Sequence, residues 1–303
     1  MILTIDGHTA EAKPEQSLLD LVKQLGLEGK RLADRPLAAK IAGEVFTLNY
    51  IPVRTKDTQG DRPSMRQAMA ASNGVIRLLH YGDAAGKECY SRTAQFAVFL
   101  ALRQLWPNAA GKVSCTLGSS VYIQVSGAPD FSASKLKQRV EEIVQEGIPL
   151  IRRRVPLEDA ASRFHREGQE DKARLLRWRS TDYFDEYVYG YYADYFYGEM
   201  LPSTAYLTVW DILPADGGFL FLYPDDQNPE ICAKIPTMPN FLSVFNEGER
   251  WCALMECETV ADLNELTTSG RIRELIRVNE ALHEKRFSQV ADMVCQRGAK
   301  AVM

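Results

Sequence analysis

Apolar and polar residues follow different periods in different parts of this chain. Over residues 1–5 and 9–13 the spacing is that of strands, on either side of Asp6-Gly7-His8, a tight-hairpin signal. Leu18, Leu21, Val22 and Leu25 then recur at helical spacing behind Ser17, an N-capping residue type, and Gly26 closes that helix. Residues 37–42 and 45–51 return to strand character around Gly43-Glu44. The order strand, strand, helix, strand, strand predicts a β-grasp unit over residues 1–60. Residues 55–73 are polar and contain Gly60 and Pro63, so they are expected to bridge to a second domain starting near Gly74.

The second region mixes periods. Ala94, Val98, Ala101 and Leu105 form one stripe of a helix expected over residues 91–106 and stopped by Pro107. Strands are expected at 113–117 and 121–126, around Gly118-Ser119-Ser120. A helix at 132–146 ends at Gly147, and two more are expected at 157–167 and 170–178. Residues 188–197 read as a strand, and residues 206–212 and 219–223 as an antiparallel pair turning at Gly217-Gly218. From Phe241 onward the pattern is helical. Thr259 and Asp262 have capping-box spacing, and a long helix is expected at 271–295 with Ile272, Leu275, Ile276, Asn279, Leu282, Phe287, Val290 and Met293 near one face. The predicted class is α+β, in three parts: residues 1–60, 74–240 and a helical connector, 241–303.

Composition narrows the function classes. The chain has 303 residues, 46% apolar and 25% charged, as in an ordinary globular protein of two or three domains. A net charge of −4 excludes a uniformly basic nucleic-acid binder but leaves room for a local basic patch. No apolar run reaches the ~18 residues of a membrane span, and Asp6 breaks any N-terminal signal pattern, so no membrane partner and a cytoplasmic location are expected. Six cysteines without a C-x-x-C pair read as reduced thiols, and four scattered histidines form no helical metal-binding pair.

Three segments carry candidate chemistry. The nearest approach to a phosphate loop, Gly82-Asp83-Ala84-Ala85-Gly86-Lys87-Glu88, is one residue short between its glycines and lacks the hydroxyl that would hold Mg²⁺. It is expected to be a solvent loop. Arg152, Arg153 and Arg154 open the most basic region, nine Lys/Arg against five acids over residues 152–179. Seven of the thirteen tyrosines, Tyr195 among them, follow within residues 183–197. Basic groups fix phosphates and aromatic rings stack on bases, so this region is a candidate for RNA or a nucleotide. The alternative is a solvated helix pair with tyrosines packing a sheet. Asp182, Asp185, Glu186 and Asp194 are expected to be surface acids and tyrosine partners.

Residues 1–60 resemble a TGS domain, the ubiquitin-like β-grasp module of threonyl-tRNA synthetases, through Ile5-Asp6-Gly7-His8, the helix at 17–24 and Ala38, Lys40, Ile41, Ala42 and Gly43. The following 160 residues resemble the second additional domain of the same enzymes. Its anchors are Arg103-Gln104-Leu105-Trp106-Pro107-Asn108-Ala109, Phe164-His165-Arg166-Glu167-Gly168-Gln169-Glu170-Asp171-Lys172 and Gly198-Glu199-Met200-Leu201-Pro202-Ser203-Thr204. The resemblance places the family's H-x-x-x-H pair at Arg92 and Phe96, and its C-x-x-x-H pair at Phe196 and Met200. None of these is a good zinc ligand, which implies loss of metal-dependent editing. If the cleft persists, Arg92 is a candidate anion ligand there; otherwise Phe96, Phe196 and Met200 fill it and Arg92 pairs with an acid.

The same domain order, followed by a helical connector such as residues 268–285, resembles bacterial nucleoside kinases related to uridine kinase and phosphoribulokinase. In that family a strand and a phosphate loop come next, and residues 298–303 are similar to the start of such a strand. The resemblance implies a non-catalytic regulatory region positioning a downstream kinase domain. ATP or GTP and Mg²⁺ would then serve only that domain, and this chain would need no cofactor of its own. The alternatives are a free-standing RNA- or tRNA-binding protein built from synthetase domains and, with less support, a trans-editing deacylase. Self-association into a homo-oligomer is compatible with each.

Overall fold

The computed structural model describes residues 1–54, 63–235, 241–298 and 300. The chain divides into two compact units, Met1–Val155 with Asp185–Thr237, and Pro156–Phe184 with Met238–Met303. The fold is α+β. Among the described residues no helix is long and apolar enough to cross a membrane.

In the first unit, β1 (Ile2–Ile5) and β2 (His8–Glu11) pair antiparallel with Ile5 opposite His8. Asp6 and Gly7 take φ of 44° and 83°, the paired positive values of a turn whose twist suits a hairpin. α1 (Leu18–Gln24) begins in a full capping box: the Ser17 hydroxyl accepts from the Asp20 N–H, and the Asp20 carboxylate accepts from the Ser17 N–H. β3 (Ala38–Ile41) and β4 (Glu44–Phe46) form the second hairpin through Ala42 and Gly43. α2 (Pro63–Ala71) and β5 (Val75–Leu79) follow.

The sheet order is β2-β1-β5-β3-β4, with β5 parallel to β1 and antiparallel to β3. The unit expected over residues 1–60 therefore lacks the strand at the centre of its own sheet, which lies beyond Gly74. β5 reads Val-Ile-Arg-Leu-Leu, with Val75 and Arg77 exposed and Ile76, Leu78 and Leu79 buried, an alternation too short to mark a strand by itself. Part of the expected polar bridge is the helix α2, and its residues 55–62 lie outside the described residues. Leu3, Ile5, Leu21, Ile41, Phe46 and Leu48 are fully buried in the core beneath this sheet.

α3 (Ala84–Leu105) starts at Ala84, ahead of the expected residue 91. The segment with phosphate-loop likeness is thus not a solvent loop but the beginning of this helix. Gly86 sits there because the His80 carbonyl crosses the helix: a Cβ would lie 2.0 Å from that oxygen. β6 (Ala110–Thr116), β7 (Ser120–Ser126) and α4 (Ala133–Glu146) come next, α4 capped by Ser132 and ended by left-handed Gly147. They are followed by β8 (Ile151–Pro156), β9 (Tyr183–Tyr189), β10 (Tyr192–Asp194), β11 (Asp211–Ala215) and β12 (Gly218–Leu222). The strands form an antiparallel sheet β11-β12-β7-β6 and a three-stranded sheet β10-β9-β8. The single strand expected over 188–197 is instead a hairpin, turned by Gly190 at φ 58°.

In the second unit, α5 (Leu157–Arg166) and α6 (Glu170–Leu176) pack together, and the Phe164 and Phe184 rings meet edge to face at 5.9 Å. α7 (Phe241–Leu254), α8 (Val260–Thr268) and α9 (Ile272–Arg297) complete it. Arg174 on α6 donates to Asp262 (2.7 Å) and Glu265 (2.8 Å) on α8. The expected capping box at Thr259 and Asp262 is formed. Of the strand expected at 298–303, residues 299 and 301–303 lie outside the described residues, and Gly298 ends α9 in a left-handed conformation.

Candidate functional site

The four positions where the resemblance would place metal ligands meet in the first unit. Arg92 and Phe96 stand one turn apart on α3. The Phe96 ring is fully buried and makes edge contacts with Tyr192 at 5.3 Å and Phe196 at 6.3 Å. Met200 is buried in the same core cluster. The Arg92 guanidinium donates to the Glu88 carboxylate at 2.6 Å and to the Glu199 carbonyl at 3.2 Å. It lies against Gly198, where φ is +126° and a Cβ would come within 2.7 Å of the guanidinium carbon.

Further hydrogen bonds fix this segment to α3. The Leu201 N–H donates to the Thr93 hydroxyl, and the Thr93 hydroxyl donates to the Cys89 carbonyl. Tyr187 donates its hydroxyl to the Gly198 carbonyl. Phe96 thus meets Phe196 and Arg92 meets Gly198 and Glu199, and the content of the place is packing plus an ion pair. Phenyl rings and a thioether give zinc no suitable lone pair, and a guanidinium repels cations. Among the described residues no group of three or more His, Cys, Asp or Glu could hold a metal ion. Nor does the site offer a nucleophile: burial pushes the Cys89 thiol up to about 12, more than Arg92 beside it draws it down.

Arg152, Arg153 and Arg154 lie on β8, a strand absent from the sequence expectation. Each meets a carboxylate. Arg152, 11% exposed, donates to Glu199, 2% exposed, at 2.6 Å. Arg153 donates twice to the buried Glu186 on β9, at 2.6 and 3.1 Å, and Arg154 pairs with Asp185. The basic run is therefore neutralised by ion pairs, two across to β9 and one to Glu199 beyond β10, and its most exposed member is Arg153, at 50%. Glu186 and Asp194 are buried, contrary to the surface position expected of them, and Asp194 accepts from the Tyr192 hydroxyl and the Tyr195 N–H. Charge alone gave no way to foresee this, because the acids that neutralise these arginines lie more than 30 residues further along the chain.

The tyrosines divide by face. Tyr187 and Tyr192 are core residues, whereas Tyr191 and Tyr197 are 73% and 68% exposed. Tyr195 packs edge-on against Tyr197, with ring centres 5.4 Å apart. Tyr187 and Tyr189 are two positions apart on β9 and so share a face by the strand period; Tyr187 is buried and Tyr189, next to the turn at Gly190, is exposed, so the place along the strand and not the residue order separates them.

No protein-family model matches the chain. The chain is similar to proteins named threonine–tRNA ligase. It is 23% identical over 218 residues to the one from Symbiobacterium thermophilum, covering 71% of this chain and 30% of that protein. It is 25% identical over 195 residues to that of Parabacteroides distasonis, covering 62% and 27%. It is 23% identical over 239 residues to that of Finegoldia magna, covering 76% and 33%. The chain thus spans about a third of the length of these relatives. They support the synthetase half of the resemblance and do not bear on the kinase half.

Proposed function

We propose that this chain is an RNA-binding protein of synthetase-like architecture, with transfer RNA as its first candidate ligand, in which the metal-dependent editing site has been converted into structural packing. The observation that carries the reading is the similarity, over 71% of the chain, to proteins named for joining threonine to tRNA. The surface chemistry is compatible with it. Tyr191 and Tyr197 present their rings to solvent near β10, and Arg153 on β8 of the same sheet keeps half its surface exposed. Exposed rings stack on unpaired bases, and an exposed guanidinium meets phosphate.

The test is binding of unmodified tRNA by fluorescence anisotropy across a salt series. Affinity is expected to fall as salt rises, because phosphate contacts release counterions. The pair Tyr191→Ala and Tyr197→Ala is expected to weaken binding by about 1–3 kcal/mol per lost stack. Affinity no better than that of an unrelated acidic protein, or binding indifferent to both substitutions, would refute the reading.

A second reading rests on α9. This 26-residue helix buries none of its residues, yet Ile276, Phe287, Val290 and Met293 are apolar and exposed. A further domain would cover such a surface, as in the regulatory region of a uridine-kinase-like nucleoside kinase. The immunoblotted size of the native protein tests it. A species well above 34.1 kDa, with ATP- or GTP- and Mg²⁺-dependent nucleoside phosphorylation, is its expected outcome, and a species of this size refutes it.

A further inference from the structure

α7 ends in a motif that brings two cysteines together. Glu256 adopts a left-handed conformation, with φ of 51°. Its N–H donates to the Ala253 carbonyl at 3.0 Å, and the Cys257 N–H donates to the Cys252 carbonyl, also at 3.0 Å. This crossed pair of bonds is a Schellman helix end. Its outer bond joins the two positions whose side chains ordinarily make an apolar contact across the motif. Here both positions are cysteine.

Covalent geometry limits their separation. The path from the Cys257 Cα through its N–H and the Cys252 carbonyl to the Cys252 Cα is at most about 7 Å long when straight. A disulfide needs Cα atoms roughly 4.4–6.8 Å apart. Both thiols are free, Cys252 exposed and Cys257 half-buried. They also sense one another: burial raises the Cys257 thiol above its ordinary value, and negative charge on Asp262 and on Cys252 adds to the shift. The remaining cysteines lie on other elements.

We propose that Cys252 and Cys257 form a redox-active dithiol that hydrogen peroxide closes to an intramolecular disulfide. The Cys252 thiolate, the more accessible, attacks one peroxide oxygen and breaks the O–O bond. A sulfenic acid forms on Cys252, and the leaving oxygen takes up a proton as water. The Cys257 sulfur then attacks the Cys252 sulfur as its thiol proton passes to the departing hydroxyl, which leaves as a second water. The protein loses two hydrogens and two electrons, which reduce one peroxide to two waters. The resulting bridge closes over the left-handed Glu256, just ahead of the Thr259 cap of α8.

The experiment uses the full chain. It is treated with hydrogen peroxide, alkylated without reduction and digested with trypsin, which leaves both cysteines in the peptide of residues 251–271. That peptide is expected to become about 2 Da lighter and to resist alkylation until dithiothreitol is added. Cys295, exposed on α9, is the internal reference and is expected to gain no such partner. In Cys257→Ser, Cys252 is expected to retain a sulfenic acid that dimedone labels, and Cys252→Ser is expected to abolish the lighter peptide. The proposal is overturned if the peptide only gains oxygen, if Cys252 forms disulfides chiefly between molecules, or if dimedone fails to label Cys257→Ser.

Discussion

Arg152→Met separates a structural arginine from an RNA-binding one. The substitution keeps the length of the aliphatic stem and removes the guanidinium from Glu199, a carboxylate only 2% exposed that accepts from Arg152 at 2.6 Å. Removing one member of such a pair leaves a buried charge that neither water nor its former partner can solvate, at a cost of about 3–5 kcal/mol. Replacing both members with apolar groups removes the desolvation penalty along with the attraction, and is often near neutral. Arg152→Met alone should therefore be far more damaging than the double change Arg152→Met with Glu199→Leu. The coupling energy of the cycle should be of the order of 2–3 kcal/mol. Equilibrium urea unfolding followed by near-ultraviolet circular dichroism measures the stabilities, and tRNA anisotropy on the folded variants measures binding. A loss below about 1 kcal/mol for Arg152→Met, or a double variant as unstable as the sum of the singles, would refute the assignment. So would a collapse of RNA affinity with stability unchanged, because Arg152 would then be acting on phosphate.

Three further outcomes follow from the geometry. Phe96→Ala is expected to cost about 3–5 kcal/mol, because its fully buried ring touches both Tyr192 and Phe196, and Phe196→Ala is expected to cost clearly less from its half-buried position; thermal or urea unfolding ranks the two. Gly86→Ala drives a methyl to 2.0 Å from the His80 carbonyl, so a loss of at least about 1–3 kcal/mol is expected despite the better helix propensity of alanine; a stabilised variant would refute the close approach. Ser17→Ala is expected to cost about 1 kcal/mol at neutral pH, since the Ser17 hydroxyl and N–H, in that order, hold the Asp20 carboxyl below its ordinary value of 3.8. A depressed carboxylate contributes stability above its unfolded pKa and loses it as pH falls through the lower folded value, so the gap between wild type and Ser17→Ala should narrow below about pH 4 in pH-dependent unfolding.

Local signals in the sequence determined much of this protein. Asp6-Gly7 placed one hairpin, Gly43-Glu44 placed a second to within one residue of its turn at Ala42-Gly43, and Ser17 and Thr259 placed two helix starts through capping spacing. Gly147 placed a helix end, because each of these features acts within a few residues of itself. That Arg92, Phe96, Phe196 and Met200 are poor zinc ligands was also legible, since donor chemistry is a property of the residue alone. Only the tertiary structure decided the rest. β5 became the centre of the first sheet through pairing with strands about 70 and 40 residues before it, which no local period encodes. A run of three arginines became a strand rather than a free basic patch, because Asp185, Glu186 and Glu199 return to neutralise it. Phe96 and Phe196, a hundred positions apart, meet in one core. Charge and burial are settled by partners far along the chain, whereas turns and caps are settled by neighbours.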